Sequence, residues 1–363
     1  MRGLIRLFGR WIIASPLCVF LIRYRRERSK RQPYVAYKNM ESFGYGNLSD
    51  AEKKAMFEDM RRCLKEMHFS YYEYLAYNFV EKKTDEERLA FISSYERKAI
   101  IRKMNRRQDV QIFGRKTKVA EKFSAFLNRD FLAIESPKDV AKLEVFLNKH
   151  KRAIVKPVSD SWGRGVKIVN VKAGDDVHKL ASELVQEYAN RRSGRTRFGG
   201  IVEEVVEQDE RLAVLHPQSV NSVRITTFRL DSRTIVFEPF LRVGRGDACV
   251  DNAGAGGIMC PVHLDTGVVF TARDKHGVSY DKHPETGVQL VGFQVPRWNE
   301  ALEFVRKAAQ VVPTTRVIGW DVALSRDGWV LIEANNAGEW VTQEATQHGL
   351  RSKVNEILLE FNK

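Results

Sequence analysis

A chain of 363 residues can build two or three domains with a sizeable core, and its 43% hydrophobic and 29% charged residues exclude a wholly disordered protein. The formal charge of +14 points to an anionic partner, but Met1 to Met40 holds ten Lys or Arg against one acid, Glu27, and so carries +9 of it. The remaining body is only mildly basic and lacks stacking aromatics interleaved with its charges, which argues against a nucleic-acid binder.

The first element is "WIIASPLCVFLI", Trp11 to Ile22, flanked by "RLFGR" and "RYRRERSKR". It is shorter than the ~20 residues that span a bilayer. The stronger basic block follows the apolar run and no A-x-A site closes it, unlike a signal peptide. Residues 1–48 are therefore expected to form an interfacial anchor whose basic flanks meet anionic lipid. A first helix packed on the core and a cleaved signal are the alternatives. Cys18, Cys63, Cys249 and Cys260 are scattered, without a CxxC or Cys/His cluster, so no zinc site or disulfide framework is signalled and a reducing cytoplasm fits.

A helical region follows, residues 49–112. In "NLSDAEKKAMFEDMRRCLKEM" Ser49 and Glu52 have capping-box spacing, and Met56, Met60, Cys63, Leu64 and Met67 form one stripe. "TDEERLAFISSYERKAIIRKMN" reads as one further helix, boxed by Thr84 and Glu87. Beyond it, "RAIVKPV", "GVKIVNV", "GGIVEEVV", "SVRITTFRL", "TIVFEPFLRV", "GVVFTA", "VIGWDVAL" and "WVLIEAN" are strand-like runs bounded by Gly, Asp or Asn. Helical stretches near Val177 to Arg191 and Asn299 to Val311 lie between them, so the class is α+β.

Three segments carry chemistry. In "AIVKPVSDSWGRGVKIV", Lys156 ends a strand, and Ser159, Ser161, Gly163 and Gly165 allow backbone N–H groups to crowd an anion. No G-K-[ST] ending makes it a Walker loop, and a plain hairpin is the alternative. "GIVEEVVEQDERLAVL" leaves a strand with Glu203, Glu204, Glu207, Asp209 and Glu210; it is either a solvated edge or a place that reads adenosine. In "GWDVALSRDGWVLIEANNAGEW" a three-residue loop, Arg326-Asp327-Gly328, pairs Ser325 with Trp329 and sets Asp321 opposite Glu333. Facing carboxylates repel, and a hard divalent cation would offset that, with Asn335 on the face of Glu333. An arginine partner is the alternative. Asn336 would point to the other face. "DNAGAGG", Asp251 to Gly257, is a turn-former, and His216 reads as a structural histidine.

In this order the segments resemble the ATP-grasp superfamily. More narrowly, "TDEERLAFISSYERKAIIRKMN", "LHPQSVNSVRITTFR", "VDNAGAGGI" and the hairpin resemble the sugar-transfer-associated ATP-grasp family, from roughly Ser70 to the C-terminus. The resemblance implies two α+β subdomains clamping ATP, residues 113–208 with the lid and 209–363 with the metal site. It implies that Lys156 contacts the α-phosphate side and that the Ser159 to Gly165 loop closes over the β- and γ-phosphates. Glu203 with Glu204 to Val206 would read adenine and Glu210 the ribose, while Asp321, Glu333 and Asn335 would ligate Mg2+. A second lysine is expected among Lys116, Lys118 and Lys122, with Lys118 favoured. The arginine that often precedes the metal aspartate is missing from Val317-Ile318-Gly319, so Arg224 or Arg242 would replace it, with Asn221 nearby. The implied activity is an ATP- and Mg2+-dependent carboxylate–amine ligase of cell-surface polysaccharide assembly at the inner membrane face. A sugar-linked carboxylate and an amine or amino acid would be its substrates. A kinase acting on a sugar hydroxyl is the alternative.

Overall fold

The computed structural model describes residues 32–159, 165–190, 192–193, 196–197, 199–248, 250–336 and 338–362. The expected anchor segment up to residue 31, Ser161 and Gly163, Cys18 and Cys249 lie outside the described residues.

The helical region is built as its caps dictate. The Ser49–Glu52 box opens the helix Asp50–Glu66, and Phe57, Met60 and Cys63 on its inner stripe are buried. They pack with Met40, Phe69, Tyr74, Phe79 and Phe91 into a separate aromatic-rich core. The second predicted helix is two. Thr84 and Glu87 cap only Asp85–Leu89, and Ser93 caps Ser94–Met104. The break is set by Arg88, whose side chain is buried on Asp59, Phe79 O and Lys82 O.

Eleven strands follow among the described residues: β1 Phe131–Ile134, β2 Arg152–Pro157, β3 Lys167–Asn170, β4 Arg192–Ser193, β5 Thr196–Arg197, β6 Gly200–Glu204, β7 Val223–Arg229, β8 Thr234–Val243, β9 Ile258–Pro261, β10 Val317–Leu324 and β11 Trp329–Asn335. β1-β6-β2-β3 form a small antiparallel sheet, and β11-β10-β7-β8-β9 a larger one. The small sheet is covered by Val140–His150 and Val177–Ala189 through Leu143, Leu147, Leu184 and Tyr188. The larger sheet is covered on both faces. Ile318, Trp320, Val322 and Leu324 meet the helix Trp298–Ala308. Val317 on the opposite face meets Ile101, Met104, Val354 and Leu358. Phe113 to Leu127, which the sequence groups with the small subdomain, instead pack into the larger sheet's core, with Phe123 edge-on to Trp320 at 5.5 Å. "GVVFTA" is not a strand but a run of isolated bridges, Val268 to Gln294 and Val262 to Val269.

Candidate functional site

A cavity of about 1010 Å³ opens between the two sheets, and residues of both sheets line it. On the small sheet, β2 and β6 run side by side, with Lys156 opposite Ile201 and Ile154 opposite Glu203. Glu203 is almost fully buried. Arg129 Nη2 reaches its Oε1 at 2.6 Å and the Lys156 ammonium its Oε2. Burial alone would raise this carboxyl, but Lys156 and Arg129 overcome it and hold the group at about 2. Arg129 also donates to Leu331 O at 2.6 Å, so one buried guanidinium ties β6 to β11 and fixes the two walls of the cavity together. Nothing in the sequence pattern marks Arg129; it sits in a short turn between a helix and β1.

Lys156, Ser159, Glu203, Glu204 and Val206 line the cavity, whereas Lys118, Gly165, Glu210 and Asn221 of the expected set do not. Glu210 starts the short helix Glu210–Ala213 and is exposed outside the cavity, whereas Glu207 and Gln208 line it. Lys118 is exposed on the helix Lys116–Lys122. Lys116, two positions earlier, faces inward and lies 3.3 Å from Glu333 Oε1. A two-residue step turns a helical side chain to the far face, which accounts for the difference. Gly165 has φ +70, and its carbonyl accepts from Tyr188 Oη at 2.7 Å.

The hairpin pairs Asp321 with Glu333, but by another route. The loop is two residues, Arg326-Asp327, closed by Ser325 N–H donating to Gly328 O at 2.9 Å. Leu324 pairs with Trp329, and Val322 with Leu331. A bulge at Ile332 then restores Asp321 opposite Glu333. Asn335 and Asn336 both line the cavity, so Asn336 is not turned away. Its carbonyl also accepts from Asn105 Nδ2 at 3.2 Å.

Asp321 is buried between two arginines. Arg224, its neighbour on β7, places Nε 2.8 Å from Oδ1, and Arg242 on β8 places Nη2 3.1 Å from Oδ2. Burial raises the Asp321 carboxyl and the two arginines draw it back toward ionisation. The arginines, rather than a cation alone, offset the facing carboxylates. Asp321 Oδ1 and Arg224 Nη1 are nonetheless buried without a hydrogen bond among the described residues. Asp321, half-buried Glu333 and Asn335 carry oxygen donors only, the ligand type of a hard divalent cation.

Asn221 is not part of this group. Its fully buried amide donates to Leu212 O and His216 O at 3.0 and 3.2 Å and accepts from Gly244 N–H, bracing a loop. His216 is structural, held by Ser219 Oγ at 2.8 Å and Gly246 O at 2.9 Å. The "DNAGAGG" loop does reach the cavity. Asp251 accepts from Ser222 N–H at 2.7 Å, and a Cβ on Gly257 would lie 2.2 Å from Asp251 O. Residues the sequence reading missed complete the far end. Glu339 pairs with Arg224 at 3.3 Å, and Tyr72 Oη donates to Glu344 at 2.9 Å.

The family described as sugar-transfer associated ATP-grasp matches residues 95–358. No curated protein matches the chain. Among solved structures, an ADP complex of N5-carboxyaminoimidazole ribonucleotide synthetase is 10% identical over 64% of this chain and 46% of its own, with a TM-score of 0.39. Phosphoribosylamine–glycine ligase from Thermotoga maritima is 11% identical over 71% and 56%, with a TM-score of 0.44. D-cycloserine synthetase is 12% identical over 78% and 80%, with a TM-score of 0.42. The chain spans about half the length of the first two.

Proposed function

From the premise that the chain belongs to the sugar-transfer associated ATP-grasp family, we propose that it is an ATP-dependent carboxylate–amine ligase acting through an acyl phosphate. The observation that supports this best is convergence. Lys116 and Lys156, the Arg224–Asp321–Arg242 group, Glu333 and Asn335 all face one cavity. Lys116 and Lys156 bind the phosphates of ATP, and Glu203 holds the Lys156 ammonium in place. Ile154, Ile168 and Ala213 give the adenine an apolar bed, and the backbone of Glu204 to Val206 reads its edge. Asp321, Glu333 and Asn335 would hold Mg2+, which supplies neutralisation of phosphate charge when bound.

Arg224, which lines the cavity, offers its charge to the substrate carboxylate. Arg242 steadies charge at the γ-phosphoryl oxygens as the carboxylate attacks, so catalysis is positioning and preorganised charge. The substrate pair is a sugar-linked carboxylate, such as a uronic acid, and an amine, in cell-surface polysaccharide assembly at the inner face of the membrane. No helix among the described residues is long and apolar enough to cross a membrane, and the basic segment before residue 32 would supply the contact.

The test is an acceptor screen with magnesium-ATP, read by phosphate release and mass spectrometry. A ligase releases phosphate and gains the amine mass in its product. Retention of phosphate on a sugar hydroxyl would instead establish the kinase alternative. Membrane contact is tested by removing Met1 to Lys30: sedimentation with phosphatidylserine vesicles should be lost, and sedimentation unchanged would refute the anchor.

A further inference from the structure

We infer that Glu344, hydrogen-bonded to Tyr72, receives a primary amine at the far end of this cavity and takes its proton. The inference rests on the ligase reading above and adds the group that handles the acceptor.

Glu344 lies on the short helix Thr342–Thr346, and Tyr72 comes from the N-terminal helical region. Both line the cavity. Tyr72 Oη donates to Glu344 Oε2 at 2.9 Å, and Glu344 Oε1 makes no hydrogen bond among the described residues. The phenol is itself fixed, because Phe43 packs edge-on against its ring at 5.6 Å. One carboxylate oxygen is thus positioned, on a residue that lines the cavity.

The wall continues from there to the reacting end. Glu339, five residues earlier, pairs with Arg224 at 3.3 Å, and Arg224 with Asp321 at 2.8 Å. An amine on Glu344 and a carboxylate on Arg224 would therefore lie along one side of one cavity. Burial raises the Glu344 carboxyl to about 7. The Tyr72 hydrogen bond and Arg97 pull it down, while Glu73 and Glu339 push it up. Such a group can both accept and release a proton at neutral pH.

The step balances. The ammonium gives one proton to Glu344 Oε1, and its freed lone pair attacks the acyl carbon. The C–N bond forms as the C–O bond to phosphate breaks, and phosphate leaves with that electron pair and the second nitrogen proton. Glu344 returns its proton to solvent. The helical region is then part of the acceptor site as well as a scaffold.

The experiment titrates glycine, 2-aminoethanol and glucosamine, with their N-acetyl counterparts, into the full chain by calorimetry, with and without magnesium-ADP. At least one free amine should bind, with its acetylated form about tenfold weaker. Glu344→Gln should weaken that amine by about tenfold and Tyr72→Phe by about threefold, both keeping the ADP affinity of the parent. Amine binding to the parent should fall as pH drops through about 7, since protonated Glu344 no longer pairs with an ammonium, and this dependence should vanish in Glu344→Gln. A Glu344 that only braced the fold would not move that pH profile. Absence of amine binding to the parent, or equal binding and pH dependence in Glu344→Gln, overturns the inference. Failure of ADP to bind the parent overturns the nucleotide reading alone, because the amine is also titrated without it.

Discussion

Replacing Glu203 with Gln keeps the shape of the side chain and removes its charge from between Lys156 and Arg129. The carboxyl falls from an ordinary 4.5 to about 2 in the folded chain. At about 1.36 kcal/mol for each pH unit, that drop corresponds to about 3 kcal/mol of stability at neutral pH. The group is almost fully buried, so solvent screening takes little of it. A depressed folded value means the contribution is complete above the unfolded pKa and is lost as pH falls from there through the folded one. At about pH 3.5, one unit below the unfolded value, a little under half of it is gone. Urea unfolding followed by tryptophan fluorescence should therefore show Glu203→Gln less stable than the parent by about 3 kcal/mol near pH 7 and by about half that near pH 3.5. A gap of the same size at both pH values would show that Glu203 does not act through its charge. A gap near zero at neutral pH would show that Lys156 and Arg129 do not need it.

Glu333→Gln should abolish the magnesium-dependent gain in ADP affinity measured by calorimetry, while ADP binding in chelator stays within about twofold; a retained gain would remove Glu333 from the metal set. Lys116→Ala should weaken ADP by about tenfold and Lys118→Ala by less than about twofold, because only Lys116 faces the cavity; the reverse order would restore the sequence-based expectation. Arg88→Ala should lower the stability of the helical region by about 3 kcal/mol in urea, since it strips Asp59 and the Phe79 carbonyl of a buried partner. A change under about 1 kcal/mol would mean that water replaces the guanidinium there.

Much of the architecture was legible because local signals agreed with one another. The Ser49 box, seven of the eight strand runs and the helices near Val177 and Asn299 all stand where periodicity and capping place them. The departures have local causes. "GVVFTA" has a strand's composition but lies where successive turns, Leu264 to Thr266 among them, leave room only for single bridges. The helix through residues 84–105 breaks because Arg88 is drawn into the core by Asp59, a partner 29 residues away that periodicity cannot see. Arg129, Tyr72, Glu339 and Glu344 were invisible for the same reason, since each matters only for what the fold brings to it from a distant segment.

The hairpin shows how a correct pairing can follow from an incorrect turn. A three-residue loop and regular strands put Asp321 opposite Glu333. The chain uses a two-residue loop, which alone would slip the register by one and pair Asp321 with Ile332; the bulge at Ile332 takes up that residue. A one-residue slip turns side chains to the opposite face, so without the bulge Glu333 would leave the cavity. The bulge is therefore tied to the site rather than to the core. Past it, Ala334 is buried while Glu333 and Asn335 keep partial access to the cavity, as the restored alternation requires. Deleting Ile332 should then remove the bulge and leave Asp321 opposite Glu333, with Val330 and Leu331 still packed. A regular strand that kept Ile332 would instead pair it with Asp321 and turn Glu333 to the other face, damaging the site before the sheet.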